Sequence, residues 1–418
     1  MMTCSGERRF RLGEMLEMAQ RYRGWSRRQL AKSIGRDPTK LIPSTGLPRL
    51  DFLVELAGVL DWEIDDLVSH LWGGQRDQIE PIPKGEISEH SDFNSLDQLA
   101  KRAHLDGNFE RMIAMARAAR TKSQTPTERA LTFNRESGGW DGLGRFRSGI
   151  RALRSGLRIS NVDGEVRRMM QSNLSGAHYG LWSLVEARGT AVDLIDTFRR
   201  KPAESIRDHR SLAFAHLHVG QCARRRLGDL IDHKDHPTNG RVAVDHLLIA
   251  KAHFDQMHRE LGDCRHEGIS RTCTAGILEA EVALGHRTAE RAIDEIHRLI
   301  EMPCESGDAL EAQGWSCIYA CNIVLRSIQS ESEVHRHLAI LTNKAQAVAE
   351  KLNHWPLRER VFTMEYMRWE QATGAAGIRT PKILDHEEFR TVAGMLCRFP
   401  NFQERGWKII RSAHLIES

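Results

Sequence analysis

Apolar residues near the start of the chain recur at helical spacing. Leu12, Met15, Leu16 and Ala19 fall at i, i+3, i+4 and i+7 and predict one amphipathic helix ending near Tyr22. Gly24 interrupts it. Ser26 offers a hydroxyl to the first free amides of a second short helix over 27–34, and Gly35 supplies the left-handed residue that closes one. Asp37 and Pro38 open a third segment, since proline lacks the N–H that a first helical position leaves unbonded. Pro43 cannot donate to the preceding turn, so residues 39–42 are expected to give little more than one turn. Two more stripes follow: Leu50, Leu53, Val54, Ala57 and Leu60, then Ile64, Leu67, Val68 and Leu71.

Residues 73–92 carry two adjacent glycines, two prolines and almost no apolar period, which reads as an exposed linker. From 93 to 418 the pattern is helical and partly repeated. Gly107-Asn108-Phe109 leads into an apolar stripe that runs to Ala119, and Gly144-Arg145-Phe146 repeats the figure thirty-seven residues later. Gly285 begins a third copy without the aromatic. Helical hairpins are expected at about 95–120, 127–158, 165–200, 204–261, 266–302, 308–352 and 356–415. One hairpin cannot bury its own apolar face, so successive hairpins must stack and leave an extended concave surface. A non-repetitive helical bundle is the alternative.

Composition narrows the class. The chain has 418 residues, 40% hydrophobic and 28% charged, which suits a folded helical protein. No run approaches the ~20 apolar residues of a membrane span, and the first residues hold no apolar signal segment, so a cytoplasmic protein without membrane contact is expected. The eight cysteines are scattered without a C-x-x-C pair and read as reduced, mostly buried thiols. The net charge of +4 says little, but its distribution says more. Eleven Lys/Arg face three acids between Arg8 and Arg49, a balance of +8, whereas residues 50–72 hold six acids and no Lys/Arg.

Catalytic and metal signals are thin. Histidines group at His216 and His218, at His233 and His236, and at His253 and His258, without metal-ligand spacing. Cys264 and Cys273, or Cys317 and Cys321, would give only part of a soft-metal site. The glycines of residues 137–146 lack the preceding strand of a phosphate cradle, and no nucleophile elbow, Walker loop or H-E-x-x-H occurs. No enzyme, no cofactor and no metal site is expected. The arginines at 224–226, and Arg145, Arg147, Arg151, Arg154 and Arg158, are expected on exposed outer helix faces, with an extended DNA footprint as the alternative.

Two motifs point further. G-W-S-R-R-Q-L-A-K-S-I-G at 24–35 resembles the G-x-S-x-x-x-L-A-x-x-x-G signature of Xre/Cro-type helix-turn-helix domains, and P-R-L-D-F-L-V-E-L-A-G-V-L-D-W-E-I-D-D-L at 48–67 resembles that family's following segment. The stretch between them is a few residues short, with Pro43 where a recognition helix should continue. The glycine-aromatic figure resembles the turn and second helix of a tetratricopeptide repeat. The order of parts resembles the peptide-pheromone-responsive transcription regulators. The resemblance implies an all-α chain, with a five-helix Xre-type domain at 9–72 and a tetratricopeptide-like α-solenoid of about seven hairpins at 93–418. It implies binding of double-stranded DNA as a homodimer, with Arg27, Arg28 and Gln29 near the backbone, Thr39 and Lys40 facing base edges, and Arg36 a further DNA-binding candidate. It also implies a peptide or protein held by the array, for which Asn134, Asn173 and Asn322 are the candidates. A helical scaffold whose first module binds protein and not specific DNA is the competing expectation.

Overall fold

The computed structural model describes residues 4–43, 48–60, 64, 67–68, 71, 91–227, 236–302, 307–328, 330–375, 383–412 and 414–415. The chain forms two compact units, Met1–Glu80 and Pro81–Ser418. The described residues are helical apart from turns and one two-residue parallel bridge, and no helix among them is long and apolar enough to cross a membrane.

The first unit contains α1 (Cys4–Arg23), α2 (Arg27–Ser33) and α3 (Leu50–Leu60), with Ile64, Leu67, Val68 and Leu71 also helical. Its core joins Leu12, Met15, Leu16 and Ala19 of α1 to Leu30, Ala31, Ile34, Leu41 and the α3 face. Full burial of each large side chain is worth about 1.5–3 kcal/mol, enough to hold so short a set of helices together. The cap of α2 forms as the sequence suggests. Ser26 Oγ accepts from the Gln29 amide, and Gln29 Oε1 accepts from the Ser26 amide at 2.8 Å. Gly35 sits at φ 66°, letting the Arg36 amide donate back to the Ala31 carbonyl at 2.8 Å and close the helix.

Two expectations are corrected in this unit. Residues 37–42 are a turn, as Pro43 suggests, so among the described residues the third of the five expected helices is not formed. The cause is local: the Thr39 amide donates to Asp37 Oδ1 at 2.8 Å, and the Lys40 amide to the Asp37 carbonyl at 3.0 Å, an Asx turn that Pro43 prevents from extending. The α3 stripe is also shifted. Phe52, Leu53, Leu56, Ala57 and Leu60 are buried, whereas Leu50 and Val54 are exposed. The expected linker over 73–92 lies almost wholly outside the described residues.

The second unit is a succession of helices, many of them joined by short turns among the described residues, so that those neighbours run antiparallel. They are α4 (Phe93–Leu105), α5 (Phe109–Lys122), α6 (Pro126–Gly142), α7 (Phe146–Leu157), α8 (Gly164–Gly180), α9 (Leu184–Arg200), α10 (Ile206–Arg226) and α11 (His236–Leu261). There follow α12 (Cys264–Ala283), α13 (Ala289–Glu301), α14 (Gly307–Ser327), α15 (Glu331–Lys351), α16 (Trp355–Ala375), α17 (His386–Arg398) and α18 (Gln403–Ser412). Starts are set by Asp92, Asn108, Thr125, Asp163, Ser205 and Thr288, whose side chains accept from the first free amides. The glycine-rich run before residue 144 has a packing role. A Cβ on Gly139 would stand 2.5 Å from Ile113, and one on Gly142 2.4 Å from Phe109, so these glycines let α5 lie against the α6 backbone.

The array is joined end to start. One core cluster holds Ala130, Phe146, Ile150, Val166 and Met170 together with Tyr366, Val392, Met395, Phe399, Phe402 and Ile409. Arg398 Nε donates to the Leu143 carbonyl at 3.0 Å, and the Phe146 and Phe399 rings lie 6.2 Å apart. The bridge between β1 (Ile383–Leu384) and β2 (His414–Leu415) brackets α17 and α18.

Candidate nucleic-acid interface and polar array sites

The cations of the first unit divide by what they already hold. Arg23 Nε donates to the Val59 carbonyl at 2.7 Å, capping the last turn of α3. Arg27 Nε donates to the Pro38 carbonyl at 2.9 Å and pins the turn against the start of α2. Arg36 pairs with Asp51 at 2.8 Å and lies over the Phe52 ring, while Arg49 meets the same carboxylate at 3.3 Å. Arg28 and Lys40 are exposed and make no hydrogen bond or ion pair with the described residues. Lys32 stands with them, one turn after Arg28 on α2.

Of the six positions expected at DNA, the structure therefore engages four in local geometry. Gln29 completes the capping box and Thr39 donates its hydroxyl to Asp37. Those hydrogen bonds, first of all the one from the Thr39 side chain, hold the Asp37 carboxyl below its usual range. Lys32 was missed by motif comparison, although its i, i+4 relation to Arg28 was the available signal.

In the second unit the three asparagines do not form one site. Asn173 Nδ2 donates to Asn134 Oδ1 at 2.8 Å, joining α8 to α6; Asn134 is buried and Asn173 exposed. Asn322 lies elsewhere, donating to Glu279 Oε2 at 3.2 Å. These bonds belong to a polar ladder between alternate helices. Arg135 of α6 donates to Asp97 of α4 at 2.8 Å, and Arg168 of α8 grips Asp208 of α10 with two bonds of 2.7 Å.

The ladder ends in a buried hub, contrary to the exposed faces expected for the arginines at 224–226. Arg224, 4% exposed, pairs with Glu279 at 2.6 Å, donates to Gln221 at 2.6 Å and stacks 4.0 Å over Tyr319. Arg326 reaches the other Glu279 oxygen at 3.0 Å. Beside it Arg225 lies 3.6 Å from the Tyr179 ring and 4.2 Å from Trp182, with Arg360 4.9 Å over the same indole. By contrast Arg145, Arg147, Arg151, Arg154 and Arg158 are exposed.

The histidines sort into pairs that sequence spacing does not reveal. His216 and His246 place their Nδ1 atoms 3.1 Å apart between α10 and α11, and burial first, then His246, holds His216 down at about 4. His218 is buried against Tyr179 and Phe214. Residues 233–235 lie outside the described residues. Among the described residues no three His, Cys, Asp or Glu side chains are grouped to hold a metal ion. Cys222, Cys273, Cys317 and Cys321 are buried free thiols, and Cys264 is exposed.

No family model matches this chain, and no curated protein matches it.

Proposed function

We propose that the chain is a DNA-binding transcription regulator acting as a homodimer. The first unit engages double-stranded DNA through Arg28, Lys32 and Lys40, and the helical array takes a peptide or protein partner. One observation carries the reading: in a module with a helix-turn cap, three exposed cations that the described residues leave unengaged, Arg28, Lys32 and Lys40, lie on α2 and the turn that Arg27 ties to it. Phosphate contacts ask for little more than such charge. Asn173 keeps one N–H beyond its bond to Asn134 and is the array position proposed to meet a peptide backbone. A ligand preferring one arrangement of the array would shift DNA affinity by that difference in binding. Arg28→Ala with Lys40→Ala is expected to weaken duplex binding about tenfold or more at low salt, read by fluorescence anisotropy. Unchanged affinity with an intact thermal transition would remove the assignment.

The second reading is a scaffold whose first unit docks a protein. Leu50 and Val54 favour it, lying one turn apart on α3 and exposed by 68% and 51%. In that case Leu50→Asp would abolish partner capture, and the double cation variant would leave it intact.

A further inference from the structure

We infer that the first unit holds duplex DNA by its phosphates alone, indifferent to base sequence at the segment where a helix would read it; this rests on the DNA-binding reading above. Reading base edges takes several side chains displayed from one rigid element in the major groove. Residues 37–42 offer a turn. Its polar groups are already occupied: the Thr39 amide and hydroxyl both go to Asp37, and the Pro38 carbonyl accepts from Arg27. Gln29, whose amide could otherwise pair with adenine, is held by the Ser26 amide.

What remains is charge. The Arg27–Pro38 bond sets the start of α2 against the turn, so Arg28, Lys32 and Lys40 share one neighbourhood, and Arg27 adds its charge with only Nε engaged. Asp37, a carboxylate at neutral pH, subtracts one charge and leaves a patch of about +3. At roughly 0.9 counterions released per phosphate neutralised, affinity should fall about 40-fold per bound unit between 50 and 200 mM salt.

The test titrates the full-length protein with short duplexes of unrelated sequence and with scrambled counterparts of each, at several salt concentrations. Affinities within about threefold of one another, falling together with salt, are the expected result. One duplex bound about 100-fold tighter than its scrambled form would overturn the inference and leave the DNA-binding reading standing. No binding to any duplex at low salt would remove that reading, and the inference with it. Thr39→Ala gives an independent readout: relative affinities across the panel should not move, and a changed order of preference would show that Thr39 reads bases.

Discussion

Trp182 occupies the left-handed region at φ 63°, a conformation costly for a bulky residue. Gly107 and Gly144 take that conformation at the preceding turns between paired helices, and the spacing continues to 182. At this spacing the glycine-aromatic figure is absent: Trp182 and Leu184 stand where the earlier turns have glycine and phenylalanine. The compensation at Trp182 is the stack with Arg225 and Arg360. Trp182→Ala should therefore destabilise the array by about 2–3 kcal/mol, keeping the strain and losing two cation–π contacts. Trp182→Gly should cost about 1 kcal/mol less, because glycine releases the strain. Equal urea midpoints for the two variants would deny that strain. His218 gives a pH signature at the same scale. Burial alone holds its imidazole at about 4, against about 6.5 in an unfolded chain. Between those values the unfolded chain takes up a proton that the folded one refuses, so this contribution is complete above pH 6.5 and lost as pH falls towards 4. At pH 5 the loss is about 2 kcal/mol, and His218→Phe should remove about that much of the drop in stability between pH 7 and 5. An unaltered drop in the variant would place the titration elsewhere.

At the scale of elements, sequence reading succeeded where one residue type has one local use. Ser26, Gly35 and Pro43 marked the cap, the closing turn and the truncated third segment, because capping and proline geometry act within a few residues. It failed where a side chain's role depends on distant partners. Asn322 resembled a ligand-binding position, yet its partner Glu279 lies forty-three residues away on another helix. Arg224 resembled a surface arginine, yet its partner lies fifty-five residues away. Nothing in the local pattern distinguishes these from solvated residues. The ladder does carry a periodic trace, since the separations of 38, 39 and 40 residues for Asp97–Arg135, Asn134–Asn173 and Arg168–Asp208 follow the repeat. Breaking the hub tests its weight. Arg224→Met leaves Glu279 buried with only Arg326 and Asn322, and should cost about 3 kcal/mol in urea unfolding. Adding Glu279→Leu should recover at least half of that, because the cost lies in the stranded charge. A double variant as unstable as the single would mean that the hub stabilises by packing.

At the scale of the second unit, stacking alone predicts a quasi-linear stability in which each hairpin feels only its neighbours. The shared core breaks that rule: Phe399 and Met395 of the last helices are buried with Phe146 and Ile150, some 250 residues earlier, and Arg398 donates across the same junction at a sequence separation of 255. The stripe of α7 was legible and a hairpin was expected over about 356–415, but amphipathic periodicity states that a face is buried and not which face covers it. The two readings separate on one substitution. Phe399→Ala, 3% exposed at present, should cost about 3–5 kcal/mol. In a neighbour-coupled array, faster amide hydrogen exchange would stay within α16 to α18. Closure instead predicts faster exchange also in α7 and α8, because Phe146 and Met170 share one buried cluster with side chains from the far end of the chain. Exchange unchanged over residues 146–180 would show the junction to be a contact without energetic consequence, and would leave the hairpins to fold as an open series.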